Sequence, residues 1–272
     1  LMGIPFFQCL GNHDMDYRQG GDETSDRTFK KYYGPTYYSF NRGKAHYVVL
    51  DDVRYLGEDR KYDGYITEEQ LAWLEKDLQH VPKDQLIIIN VHIPIHNSVK
   101  NNAAFYSVLK GFSNVHVMSG HTHYNVNVIK EGVFEHNHGA VCGAWWTGPI
   151  CSDGAPRGYG VYEVTGKQLK WYYKGTGLDR KHQLSLDIEP MTGNNRIIAN
   201  VWNYDPEWKV ECFLDGKLTE MEMMKGFDPE AVRLYKGDKL PASRAFAEPS
   251  RTDHLFMAHC APNVKNIKVK VT

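Results

Sequence analysis

The sequence predicts an α/β domain followed by a small antiparallel β-sandwich. Leu86-Ile87-Ile88-Ile89-Asn90-Val91 is apolar almost throughout, as a strand covered on both faces requires. Just ahead of it, Leu71, Leu74, Leu78 and Val81 recur at helical spacing. Beyond Lys174 the pattern changes to short segments that alternate apolar and polar residues: Arg196 to Trp202, Lys209 to Leu214 and Lys265 to Val271.

Each element has a local reason. Met2 to Leu10 reads as a helix end running into a buried strand, and Gly11 to Asp26 as a polar loop. Phe29, Tyr32 and Tyr33 mark a short amphipathic helix. Tyr37 to Phe40 and Ala45 to Leu50 pair around the turn Asn41-Arg42-Gly43-Lys44. Thr67 can cap the next helix, with Gln70 three residues on, and Pro82 stops it. Ala103 to Leu109 reads as a helix, and Val115 to Met118 as a second buried strand that ends at Gly120. From Tyr124 to Tyr173 the texture is short strands with Gly-rich turns, and Lys174-Gly175-Thr176-Gly177 reads as a linker. The expected division is therefore 1–178 and 179–272, with the hairpin turn Leu214-Asp215-Gly216-Lys217 in the second part.

Composition narrows the function classes. At 272 residues the chain fits one large domain or two modest ones, and 42% apolar content is ordinary for a globular protein. With 32 basic and 33 acidic side chains, net charge -1, there is no broad basic face, so no nucleic-acid partner is expected. The longest apolar run, residues 86–95, is broken by Asn90 and His92 and is too short for a membrane span. The five cysteines are scattered without a Cys-x-x-Cys pair and read as buried thiols, not as a disulfide framework.

Three segments place metal-competent side chains directly after apolar strands: Gly11-Asn12-His13-Asp14, His92-Ile93-Pro94 and Gly120-His121-Thr122-His123. Loops at strand ends converge on one crevice in α/β folds, and imidazole and amide oxygen suit borderline transition metals. Singly, each segment also reads as an ordinary turn; three in succession point to a shared cluster. His96, His116, His136 and His138 read as serving strands and loops, and Asp51-Asp52 as closing a strand.

The order of these motifs resembles that of the calcineurin-like metallophosphoesterases: Asp-x-His, Gly-Asp-x-x-Asp, Gly-Asn-His-Asp/Glu, a lone His, then Gly-His-x-His. The last three match at residues 11–14, 92 and 120–123. The resemblance implies a partial metallophosphoesterase α/β sandwich with two divalent or trivalent transition-metal ions, iron, manganese or zinc, as cofactors. It implies Asn12, His92 and His121 as ligands of one ion and His123 of the other, with His13 as a general acid held by Asp14. The implied reaction is hydrolysis of a small phosphomonoester or phosphodiester by a hydroxide activated between the ions. The part containing Trp145-Trp146, Gly158-Tyr159-Gly160 and the sandwich resembles a bacterial subgroup with a C-terminal β-domain, which leans toward the periplasm or cell envelope. Trp145 and Trp146 either stack on a sugar, base or lipid headgroup of the substrate or pack between the two domains.

One departure sets a further expectation. The two acidic motifs belong ahead of Gly11, where this sequence has ten residues without them. The ligands named above are all neutral, whereas two divalent ions bring about four positive charges that bridged centres offset with carboxylates. The sequence therefore predicts an N-terminally truncated catalytic domain with impaired metal binding and a sheet edge open to self-association. The alternative is a non-catalytic module that binds carbohydrate or protein through the C-terminal β-sandwich, with Trp202 and Trp208 as contacts. A nuclease is a third reading, and the neutral charge counts against it.

Overall fold

The computed structural model describes residues 3–18, 20–146, 148–236 and 247–272. They form two compact units. The first comprises Leu1–Thr122, Val128–Asn137 and Glu163–Lys170; the second comprises His123–Asn127, His138–Tyr162 and Trp171–Thr272.

In chain order the first part carries α1 (Asp22–Ser25), α2 (Arg27–Tyr33), β1 (Tyr38–Arg42), β2 (Ala45–Val49), β3 (Val53–Tyr55) and β4 (Tyr62–Gly64). There follow α3 (Glu68–Leu78), β5 (Leu86–Asn90), α4 (Ile95–Ser98), α5 (Asn102–Leu109), β6 (Val115–Ser119), β7 (Val126–Lys130) and β8 (Val133–Asn137). Six strands make one sheet in the order β1-β2-β5-β6-β8-β7. Strands β2, β5, β6 and β8 run parallel, and β1 is antiparallel to β2. Parallel neighbours need a crossover, which α3 supplies before β5, and α4 and α5 before β6. Val49 stands opposite Asn90, and Asn90 opposite Met118, so the segments after β2, β5 and β6 leave the sheet side by side.

The run in β5 is buried as its composition requires. Leu86, Ile87, Ile88 and Ile89 are each at most 4% exposed. Alternation sends Ile87 and Ile89 into the cluster holding Leu74, Leu78, Phe105 and Leu109, and Leu86 and Ile88 onto Ala45, Tyr47, Val164 and Leu169. Each such side chain contributes about 1.5–3 kcal/mol. Helix α3 starts as read from sequence: Thr67 Oγ1 accepts the Gln70 N–H at 3.3 Å. The stretch at residues 5–10 differs from expectation. It has no regular structure; Phe6 and Phe7 are 64% and 52% exposed, and Met2 lies outside the described residues. Apolar composition does not make a strand without a neighbour to complete the ladder, and none pairs here among the described residues. Only Leu10 is fully buried, while Cys9 Sγ lies 3.6 Å from Leu50 O and 3.8 Å from Asn90 O.

Strands β9 (Gly158–Thr165) and β10 (Gln168–Gly175) form a two-stranded sheet. The rest of the second unit contains β11 (Leu184–Met191), β12 (Asn194–Val201), β13 (Val210–Leu214), β14 (Lys217–Thr219), β15 (Glu222–Phe227), α6 (Pro229–Lys236), β16 (Arg251–Cys260) and β17 (Ile267–Val271). A four-stranded antiparallel sheet, β11-β12-β16-β15, and a three-stranded one, β14-β13-β17, share a core. Ile197, Ala199, Val201, Phe256 and Ala258 enter it from one sheet, and Cys212, Val210 and Val269 from the other, making the expected sandwich. Asp215 and Gly216 take φ of +47° and +86° at the β13–β14 turn. Helix α6 was not anticipated. Asp228 Oδ1 accepts the Ala231 N–H at 2.9 Å ahead of Pro229, so Asp-Pro-Glu is a start signal that the apolar pattern alone does not show. All five cysteines are free. Among the described residues, no helix is long and apolar enough to cross a membrane.

Candidate metal centre

In the first unit, the loop after Leu10 and the ends of β5 and β6 bring three side chains to one point. His92 Nε2 lies 2.8 Å from Asn12 Oδ1; His121 Nδ1 lies 3.2 Å from Asn12 Oδ1 and 3.1 Å from His92 Nε2. Asn12 belongs to a one-turn 3-10 helix, Asn12–Asp14, and is 6% exposed. Asp14 Oδ2 closes that turn by accepting the Gly11 N–H at 2.9 Å, and Tyr17 Oη donates to the Asn12 carbonyl. His13 and Asp14 are exposed. Gly11 has a steric reason: a Cβ there would stand 3.1 Å from both Cε1 and Nδ1 of the His92 ring.

Two buried carboxylates hold the turn that carries His92. Asp52, fully buried, accepts the N–H of His92 at 3.0 Å and that of Ile93 at 3.0 and 3.1 Å. Glu135, 2% exposed, accepts the N–H groups of Ile95 and His96 at 2.8 Å each, together with Ser119 Oγ at 2.7 Å and His96 Nδ1 at 3.0 Å. Pro94 has no N–H. Every backbone donor from His92 to His96 is thus taken by a buried carboxylate. Burial pushes the Asp52 carboxyl well above its ordinary range, against the opposing pull of its N–H donors. Asp51 is likewise raised, to about 7, chiefly by burial; its Oδ1 receives the N–H of Val53, the first residue of β3, at 3.2 Å.

The β6 end is turned sharply. Gly120 N–H donates to His92 O at 3.0 Å, Thr122 N–H to Gly120 O at 2.6 Å, and His121 sits at φ +67°. Tyr62 meets the His121 ring edge-on at 5.8 Å, and Asn137 Nδ2 holds Thr122 Oγ1 at 2.6 Å.

The donor set fits a transition-metal ion in spacing and type. Ligands bonded at about 2.1 Å and set at right angles stand about 3.0 Å apart, close to the three edges observed. One amide oxygen and two imidazoles suit manganese, iron or zinc. The set brings no negative charge, and among the described residues no three His, Cys, Asp or Glu side chains form an ion site.

His123 belongs to the second unit, at φ +59°, with its ring 4.4 Å from that of Trp145. Two residues on, Asn125 is held through N–H and Nδ2 by Asp153 Oδ2 at 2.6 and 3.1 Å. Asp153 Oδ2 also lies 3.3 Å from His254 Nε2 on β16, and its carbonyl accepts Asn200 Nδ2 from β12 at 2.8 Å. Asn200 reaches His254 Nδ1 at 2.8 Å and Asp228 at 2.9 Å. Asn125, Asp153, Asn200, Asp228 and His254 are at most 4% exposed. This network anchors the segment carrying His123 to the β-sandwich. Sequence reasoning missed it, because its members are spread from residue 125 to 254; the only cue is Asn200 and His254 inside apolar strands.

Trp145 and Trp146 take φ of +54° and +60° and are 38% and 78% exposed. Trp202 is 3% exposed and buried. Trp208 packs partly buried against the sandwich core. Among the other histidines, His116 Nδ1 and His136 Nε2 lie 2.9 Å apart, and His138 Nε2 is 2.5 Å from Tyr162 Oη.

Two family models and two curated proteins match the chain. The family model described as "Calcineurin-like phosphoesterase" matches residues 1–125, and "C terminal of Calcineurin-like phosphoesterase" matches residues 135–272. Among curated proteins, the chain is 30% identical over 137 residues to the uncharacterized protein YvnB of Bacillus subtilis (strain 168), covering 44% of this chain and 10% of that protein. It is 30% identical over 101 residues to the probable glycerophosphodiester phosphodiesterase GpdQ of Arcobacter nitrofigilis, covering 35% of this chain and 33% of that protein. The chain thus spans a third or less of the length of these relatives.

Proposed function

This chain belongs to the calcineurin-like phosphoesterase family, and from that premise we propose that it acts in metal-dependent hydrolysis of a small phosphoester. The observation that carries the metal dependence is the convergence of Asn12 Oδ1, His92 Nε2 and His121 Nδ1 within 3.2 Å of one another. In this reading those three residues hold one ion and His123 holds a second. Bound ions supply Lewis acidity at a phosphoryl oxygen and make water acidic enough to attack at neutral pH. The protein's own groups do the rest. His13, exposed on the turn beside Asn12, donates a proton to the leaving oxygen, and Asp14 on the same turn orients it. Trp145 and Trp146 offer a flat apolar surface to the substrate's organic part. The printed name of the Arcobacter relative favours a phosphodiester over a monoester.

The three donors leave the ion's charge uncompensated, so this chain alone is expected to bind metal weakly and turn over slowly. The test is hydrolysis of aryl phosphate mono- and diesters by the chain after chelation and after reloading with manganese, cobalt or zinc. Turnover should appear only after reloading, and His92→Ala should lose metal and turnover together. An unchanged rate after chelation, or a His92→Ala variant that keeps both, contradicts the proposal.

A further inference from the structure

Two edge strands of the β-sandwich border one groove. Strand β11 ends the four-stranded sheet and β17 ends the three-stranded one. The groove between them has a volume of about 960 Å³, and Leu184, Leu186, Val201, Trp208, Val269 and Val271 are among its walls. The pattern of β11 is that of a strand with one covered face: Leu184, Leu186 and Ile188 alternate with Ser185, Asp187 and Glu189. The register sets the apolar residues opposite Val201, Ala199 and Ile197, which are core residues of β12, so all share the inward face. Leu184 packs against that core, yet Leu186 and Ile188 are 42% and 48% exposed. The facing sheet has only three strands and stops at β17. Among the described residues, the strand that would cover the apolar side of β11 is missing.

The edge of β17 is open in the same place. Lys209 and Thr272 exchange both backbone hydrogen bonds, at 2.8 and 3.0 Å. In the alternation of an antiparallel ladder, Lys270 and Lys268 then also bond to β13, while the N–H and C=O groups of Val269 and Val271 point away from it. Charge selects what can pair there. The groove lining includes Lys181, His182 and Lys270 and no Asp or Glu. Lys268 and Lys270 are exposed on the outer face of β17, and Glu211, opposite Lys270, already receives Lys209 at 2.8 Å. A second copy that paired β17 with β17 would set lysine against lysine, which is unfavourable. We infer that the groove receives an extended segment of another protein in which apolar residues alternate with Asp or Glu. Its backbone extends the sheet at Val269 and Val271, its apolar side chains cover Leu186 and Ile188, and its acidic side chains lie beside Lys268 and Lys270. The site lies wholly within the second unit, goes beyond the phosphoester reaction and does not depend on it.

The test titrates the isotope-labelled full chain with a synthetic peptide of about eight residues that alternates valine with glutamate, followed by backbone amide NMR. A control peptide carries lysine in place of glutamate. The glutamate peptide should bind saturably, shift the amide signals of residues 184–186 and 269–271, and slow hydrogen exchange at Val269 and Val271. The lysine peptide should bind at least about tenfold more weakly, and the double variant Lys268→Glu, Lys270→Glu should invert that preference. Both lysines are exposed, so the double variant leaves the sandwich core intact. Absence of saturable binding, equal binding of the two peptides, or binding without protection at Val269 and Val271 overturns the proposal. A dimer in sedimentation whose contacts map to the same amides gives the groove to a second copy and overturns it as well. None of these readouts involves hydrolysis.

Discussion

His121 stands at φ +67°, a conformation that costs a residue other than glycine about 1–3 kcal/mol. That cost is accepted where its Nδ1 meets Asn12 and His92. His121→Gly should therefore leave denaturant stability unchanged or raise it by about 1 kcal/mol, while cobalt affinity falls at least about tenfold. His13→Ala should behave in the opposite sense: metal content stays near normal and metal-dependent turnover drops by about 10²–10⁴. Loss of metal in that variant would assign His13 to the ligand set. His116 gives the pH dependence. Burial lowers it from 6.5 to about 4, so between those values the unfolded chain takes up a proton that the native chain refuses. Its contribution is complete above pH 6.5 and is lost as pH falls toward 4, by about 3 kcal/mol. His116→Phe should flatten that part of the stability profile, measured by urea unfolding at a series of pH values. His92 and His121 were legible in the sequence because polar letters follow apolar strands there, and Asn12 from the Gly-Asn-His-Asp motif alone, since residues 5–10 form no strand. Asp52, Glu135 and Asp153 were not, since each acts through backbone N–H groups that only the fold brings near.

At the scale of elements, periodicity carried the most information where both faces of a segment are committed. Strand β5 and helix α3 formed where their apolar spacing placed them. Residues 5–10 did not, because a strand needs a partner ladder that no local pattern encodes. Helix α6 went unread because its signal is a cap and a proline, not an apolar stripe. The connection from Cys151 to Ala155 is the most constrained of the loops described. Gly154 has φ +86°, and a Cβ there would lie 2.1 Å from Asp228 Cγ. Asp228 in turn caps α6 and receives Asn200. Gly154→Ala should destabilise the chain by about 2–4 kcal/mol in chemical denaturation, with loss of the α6 cap. A change below about 0.5 kcal/mol would mean that the loop and Asp228 are not packed as described.

For the molecule as a whole, charge is the central issue. The cluster in the first unit matches a transition-metal ion in donor type and spacing, yet it offers only neutral ligands. The buried carboxylates Asp52 and Glu135 are occupied with the backbone of the His92 turn. The fold class was readable from sequence because it depends on patterning. The neutral charge of the donor set was readable as well, from its residue types, but its spacing was not, because it depends on distances between side chains far apart in the chain. The most direct measurement is titration of the isotope-labelled chain with Co²⁺, followed residue by residue through backbone amide NMR. Signals from residues 11–14, 91–93 and 120–122 should shift or broaden together ahead of all others, and His92→Ala should abolish that response. Broadening that starts at surface histidines elsewhere and leaves those three segments unchanged would contradict the account.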